Sequence, residues 1–304
     1  MSTSIQAKPL LSSSLDTQRL AIGMGYLALA VTVLIWAGFF LSLRAGARAN
    51  LTPDALALLR FGPAGLVFLP VLIQRWQRIK AVPLQHLVAI VAGSGLPYFL
   101  IASEAMHHAP VSDGSTLVPG TLPLFVAGIT VLVYRQKLAA GQGKALMLIG
   151  TGATLMLALN HGSGEVWQGY VLFLVGSLMW ANFTVSLRQS GLTPLEGAAL
   201  ISTTSLALLL CWLLVYPPLG LATLPLHELA LQGLVQGLGV GILSTLCYAF
   251  AVAKLGASRA TAAGALTPVL ASLLAVPLLG EIPSLSALAG MSLIIVGVFL
   301  ASRR

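Results

Sequence analysis

Arg60, Glu104, His107, His108 and Asp113 carry the most chemistry in this 304-residue chain, because all five lie inside or at the ends of long apolar runs. A charge in such a run is expensive and is usually paired or functional. Arg60 is the one basic residue well inside a run, and Glu104 falls at similar depth in the next, so the two are expected to pair. A guanidinium can instead grip a substrate carboxylate through two parallel N–H donors. It can also snorkel along its own stem to the headgroups. Histidine beside carboxylates suits a proton relay or zinc, and solvated loop residues are a third reading for the cluster at 104–113. The spacing matches no standard metal site, and adjacent histidines on a helix point in different directions, so no metal is expected.

A second set is aromatic. Trp-Ala-Gly-Phe-Phe-Leu-Ser-Leu-Arg at 36–44 returns as Trp-Ala-Asn-Phe-Thr-Val-Ser-Leu-Arg at 180–188. Trp36 and Trp180 lie about eight residues from the nearer ends of their runs, roughly 12 Å at ~1.5 Å per residue. An interfacial tryptophan belt would sit shallower, so both are expected to face protein or a cavity. Phe39, Phe40 and Phe183 follow one turn on. Asn182 replaces Gly38 of the first copy. An amide at that depth seeks a partner, and a polar substrate group is one. Tyr98 and Tyr248, near-equivalent in the two halves, are expected to line the same cavity.

The backbone carries a third signal. Gly93, Gly95 and Pro97 interrupt one run, Pro119 and Pro123 the next, and Pro268 a later one. Proline removes a donor and frees a carbonyl one turn back. Such backbone is tolerated at membrane depth where it is buried in protein or lines a cavity. Hinges or substrate-facing helices are expected, with a passive kink as the alternative. Gly233, Gly237 and Gly241 recur every four residues, as close helix packing requires.

The elements that must position these residues are membrane helices. The chain is 57% hydrophobic and 8% charged, with mean hydropathy +0.94, against about 25% charged for soluble domains. Cys211 and Cys247 lie in apolar runs and imply no disulfide framework. Ten windows reach spanning length: 21–43, 54–73, 84–106, 112–134, 143–160, 166–187, 195–216, 230–253, 259–279 and 284–302. Residues 1–20 read as a disordered tail. With both termini in the cytoplasm, thirteen Lys and Arg fall on that side and only Arg44 and Arg48 on the other, as the positive-inside rule asks. The net charge of +8 is scattered between runs, which excludes a nucleic-acid patch.

The duplication extends beyond the tryptophan motif. Leu-Thr-Pro recurs at 51–53 and 192–194, Gly93 and Gly95 match Gly239 and Gly241, and Thr116 and Pro123 match Thr261 and Pro268. One register relates 21–160 to 166–302. Five spans per unit make the second unit enter from the opposite face, giving an inverted repeat. Internally repeated membrane folds are mostly transporters with the site between the repeats.

On these residues, with Glu281 after the ninth span, the chain resembles the EamA branch of the drug/metabolite transporter superfamily. The resemblance implies an all-α integral membrane protein of ten helices around a central cavity, exporting amino acids or related metabolites across the bacterial inner membrane. It departs from the family at Gln136, where a glutamate is usual after the fourth span; this suggests that Glu281 is structural and not an essential proton site. The implied partners are the lipid bilayer and a small-molecule substrate; a homodimer is compatible with the sequence, which does not decide it. No Walker A loop, GxSxG elbow, HExxH helix or Rossmann fingerprint is present, so neither a cofactor nor an enzymatic role is expected.

Overall fold

The computed structural model describes residues 10–138, 141–160, 164–216 and 225–302. Among them every regular element is helical: α1 (Leu10–Arg48), α2 (Pro53–Ile79), α3 (Leu84–Ser94), α4 (Leu96–His108), α5 (Val111–Leu132), α6 (Gln142–Asn160), α7 (Glu165–Ser190), α8 (Pro194–Leu213), α9 (Leu226–Gln232), a π-helical segment (Gly233–Leu243), α10 (Ser244–Leu255), α11 (Ala257–Gly264), α12 (Thr267–Leu279) and α13 (Leu285–Ser302). Among the described residues eight stretches are long and apolar enough to cross a membrane, with α3–α4 and α9–α10 each counted as one; Thr267–Leu279 and Leu285–Ala301 are apolar but shorter. The expected window 259–279 is divided, since the helix stops after Gly264 and restarts at Thr267 with Pro268 in its first turn. The tail expected over 1–20 is also revised. Residues 1–9, with Lys8, and residues 303–304 lie outside the described residues, but α1 already begins at Leu10. No Gly or Pro stands between Pro9 and Gly23 to stop a helix there.

The repeated motifs occupy repeated places. Leu-Thr-Pro starts α2 and α8 alike, with Thr52 and Thr193 as N-caps and Pro53 and Pro194 in the first turn. Thr193 adds a capping box with Glu196. Helix pairings also correspond between the halves. α2 packs along α8, α5 touches α12, and α6 packs along α13; α7 lies against α3, α4 and α5 as α1 lies against the π-helical segment, α10 and α12. Asp54, Glu104, Asp113, Glu165, Glu228 and Glu281 belong to the end of the bundle at which α1 finishes, here the acidic end. Arg75, Arg78, Lys80, Arg135, Lys137 and Arg188 belong to the opposite, basic end.

The expected helix breaks are realised unevenly. Gly95 separates α3 from α4, and Pro97 sits in the first turn of α4. The freed donors stay satisfied: Gly95 N–H donates to the Val91 carbonyl at 2.8 Å, and Leu96 N–H to Ser205 Oγ of α8 at 2.9 Å. Gly93 is not at the break. A Cβ there would lie 2.2 Å from the Met179 carbonyl oxygen and 2.7 Å from Phe183 Cβ, so this glycine lets α3 and α7 touch. Pro119 and Pro123 do not interrupt α5, which runs unbroken. α7 packs along this stretch, and Thr121 Oγ1 also donates to Ser177 Oγ of α7 at 2.8 Å.

Gly93→Ala should therefore lower the unfolding free energy by about 1–3 kcal/mol through overpacking. Gly128→Ala, whose Cβ would meet nothing within 4 Å, should be neutral or slightly stabilising. Thermal melts of the two purified variants in one detergent check the contrast. Equal melting temperatures would refute the close α3–α7 approach.

Candidate functional site

At the acidic end a clasp forms around one carboxylate. Arg44 Nε lies 2.7 Å and Arg48 Nη2 2.6 Å from Glu281 Oε1, while the Val111 N–H donates to Glu281 Oε2 at 2.9 Å. Arg44 Nη1 reaches on to the Met106 carbonyl at 2.6 Å. Arg44 and Arg48 are four residues apart and so share a helix face. The clasp thus joins the end of α1, the turn between α4 and α5, and the residues just past α12. At the basic end Gln136 stands where Glu281 stands in the other half; Gln136 and Arg188 are both exposed, and no ion pair involves either among the described residues. The main ion pair there is a looser one, Arg78 Nη1 to Glu196 Oε1 at 3.5 Å.

Deeper in the bundle, each tryptophan meets the other half's tyrosine. Trp36 and Tyr248 have ring centroids 5.1 Å apart, and Tyr98 and Trp180 6.1 Å apart. Trp36 also abuts the interrupted helix, since a Cβ on Gly264 would lie 3.4 Å from its ring. Phe183 packs at the α3 contact. Asn182 is not with them. It is exposed and shares its helix face with exposed Val175 and Leu178. Two residues past Trp180 it is turned about 200° away at ~100° per residue, so it faces away from the Trp180–Tyr98 pair.

Arg60 does not pair with Glu104. Its Cζ lies 5.5 Å from the ring centroids of Phe39 and Phe61 and 5.7 Å from that of Phe99. Phe40 stacks edge-on against Phe39 at 5.1 Å. Glu104 faces an open groove lined by Asp54, Leu100 and Trp212, and its Oε1 is 3.3 Å from His108 Nε2. α4 turns that carboxylate outward while Phe99 turns in. His107 Nε2 is buried without a partner. Asp113 leaves the expected histidine cluster altogether: it is buried between α5 and α7, accepting from Tyr170 Oη at 2.6 Å and Ser112 Oγ at 2.9 Å. Among the described residues no three His, Cys, Asp or Glu side chains converge as a metal site would require.

Several residues here escaped the sequence reading: the clasp as a unit, Tyr170, Phe61, Phe99 and the amides Gln232 and Gln236. The i, i+4 pair of arginines, alone on its side of the bundle, was a usable signal. So was Gln236, a deep amide of the kind sought at Asn182.

A membrane bundle of two corresponding halves that interlock through aromatic pairs is the architecture of a transporter. Residues 23–158 and 167–303 each match the EamA-like transporter family, and the chain belongs to that family. It is a transporter and not an enzyme. Among curated relatives it is similar to a Streptantibioticus cattleyicolor protein named "Probable terminal-alkyne amino-acid exporter" (27% identical over 293 residues, 91% of this chain and 93% of that protein). It is also similar to the uncharacterized transporter YdfC of Bacillus subtilis (26% over 280 residues, 87% and 86%) and to an uncharacterized transporter of Archaeoglobus fulgidus (27% over 290 residues, 92% and 99%). A protein of known crystal structure shares the fold, with TM-score 0.59 at 20% identity over 93% of this chain and 96% of that one.

The clasp makes a quantitative prediction. Stripping one partner from a buried pair costs about 3–5 kcal/mol because a charge is left uncompensated. Glu281→Ala should sit near the low end of that range, since Glu281 is 10% and Arg44 18% exposed. Adding Arg44→Ala to Glu281→Ala should lower stability by under about 1 kcal/mol more, or restore some of it. SDS titration in mixed micelles measures the cycle, and strictly additive losses would deny the coupling.

Proposed function

We propose that this chain is a secondary transporter that exports small metabolites, amino acids foremost, across the bacterial inner membrane by alternating access. Ten spans in two inverted five-helix repeats, 21–160 and 166–302, with both termini in the cytoplasm, account for the charge bias and for the corresponding helix pairings. The shorter α12 and α13 are then the cores of the ninth and tenth spans. The observation that carries the reading is the crossed pairing of Trp36 with Tyr248 and of Trp180 with Tyr98. It puts the interface between the halves at the tryptophan motif, where a substrate site in a repeated transporter is expected.

In this orientation the clasp faces outward and ties α1, the α4–α5 turn and the end of α12 together on that side. Two similar halves allow the opposite shape to form by exchanging their roles. Gly95 and the interruption before Thr267 are the hinges of that exchange; α5 runs unbroken through Pro119 and Pro123. Amino-acid cargo is favoured by the name given to the Streptantibioticus cattleyicolor relative. Polyanionic cargo such as nucleotide sugars or sugar phosphates would call for several buried cations, and Arg60 is the basic residue well inside the bundle.

Counterflow of a labelled amino-acid panel into proteoliposomes, with and without an imposed pH gradient, tests the reading. Saturable uptake of one or a few members is expected. Trp36→Ala and Trp180→Ala should each slow it about tenfold, ~1.4 kcal/mol, at unchanged protein insertion. Folded protein that moves no member of the panel would sink the amino-acid assignment.

A further inference from the structure

We propose that Arg60 is the carboxylate anchor of the transport site and that Gln236 receives the ammonium group, so that the cargo is a zwitterionic α-amino acid with an apolar side chain. The proposal rests on the exporter reading and names its substrate class.

Arg60 lies seven residues past Pro53, the first residue of α2, about 10 Å below the acidic end at ~1.5 Å per residue. Three phenyl rings surround its guanidinium. Its Nη1 is buried and has no partner, and among the described residues no ion pair or hydrogen bond engages the side chain. Rings attract a cation through their faces, but they accept no strong hydrogen bond. Burying a guanidinium without its anion is among the dearest things a fold can do. A structural arginine bridges elements, as Arg44 and Arg48 do. Arg60 meets α1 and α4 only through the rings of Phe39 and Phe99 and hydrogen-bonds to neither, so its charge is held ready for a group that is not part of the chain.

The complementary half is an orphan acceptor. Ser42 donates its hydroxyl to Gln232 Oε1, Gln232 Nε2 donates to the Ser42 carbonyl at 3.0 Å, and Gln236 Nε2 donates to Ser42 Oγ at 3.1 Å. These bonds fix which way the Gln236 amide faces and leave its Oε1 buried and bare. Gln236 belongs to the π-helical segment, a local widening often found at functional sites. That segment runs against the Arg60 turn: a Cβ on Gly237 would lie 2.7 Å from the Leu59 carbonyl oxygen, and one on Gly241 3.3 Å from that of Arg60. Ser42 is in turn three residues past Phe39, whose ring lies under the guanidinium. One bare cationic donor and one bare acceptor therefore flank the same turn of α1. A carboxylate and an ammonium on one carbon match them, and the phenyl rings suit an apolar side chain.

The full-length protein in detergent and in proteoliposomes tests this with L-leucine, L-leucine methyl ester, isopentylamine and 4-methylpentanoate as probes. L-Leucine should raise the wild-type melting temperature and exchange in counterflow, whereas the ester and the amine, which lack the carboxylate, should do neither. Arg60→Gln and Arg60→Lys should weaken the leucine response at least tenfold, and Gln236→Leu should weaken leucine while sparing 4-methylpentanoate. Without ligand, Arg60→Gln should melt at or above the wild-type temperature, because an unpaired buried charge is gone; a clear fall would assign Arg60 a structural role and overturn the proposal. Leucine affinity within twofold of wild type in Arg60→Gln would also overturn it while leaving the exporter reading intact. If the wild type moves other amino acids but never apolar ones, the anchor is wrong and the exporter stands. If it moves no amino acid at all, both fall.

Discussion

Glu281 holds the architecture where three elements meet. One oxygen receives two guanidinium groups and the other a backbone N–H, so that α1, the α4–α5 turn and the end of α12 converge on one carboxylate. At an effective dielectric near 20, two unit charges ~4 Å apart attract by about 4 kcal/mol. Desolvation takes back part of this, and the remainder is still large beside the energies that separate conformers. The corresponding position in the first half is Gln136, which carries no charge. Two halves alike in helix order are thus unlike in what fastens their ends: two arginines grip one carboxylate at the acidic end, whereas among the described residues the basic end has the looser Arg78–Glu196 pair.

The same asymmetry appears in the backbone. Gly95 breaks one span cleanly, whereas its partner span in the other half stays continuous but widens into a π-helix over Gly233–Leu243. In hydrocarbon every N–H must find an acceptor. Ser205 of α8 supplies one for Leu96, so the break is affordable only because α8 lies alongside. In the other half the wider π-helical turn keeps the span continuous over the same depth. Local irregularity and neighbour chemistry are coupled, and each half has its own solution.

The spans, the duplication and the aromatic positions were legible because they rest on periodicity and composition, which the chain displays directly. Trp36 and Tyr248, and Trp180 and Tyr98, were named as cavity candidates, and the fold brings each pair together. Side-chain direction was less legible. Asn182 is two residues from Trp180, yet faces the other way, and helical phase is lost when a motif is read as a block. Arg60 and Glu104 matched in depth but not in azimuth, since depth follows from counting residues while azimuth depends on how α2 and α4 are rotated. Pro119 and Pro123 looked identical to helix breakers in one dimension; the helix that packs along them, α7, is more than forty residues on. Glu281 was read as structural from the missing acid at 136, but its partners are 237 and 233 residues distant in sequence.

Crossed packing has a consequence for biosynthesis. α1 is made first, yet the elements it lies against inside the bundle include the π-helical segment, α10 and α12, within residues 233–279. At ~5–20 residues per second, on the order of ten to forty seconds separate their synthesis. Through that interval Gln232, the acceptor of Ser42, and Glu281, the carboxylate shared by Arg44 and Arg48, do not yet exist. The insertion machinery, or the lipid headgroups themselves, must shelter these donors until the last third of the chain arrives. The first half is therefore no free-standing module: it becomes a finished fold only when the second half closes on it.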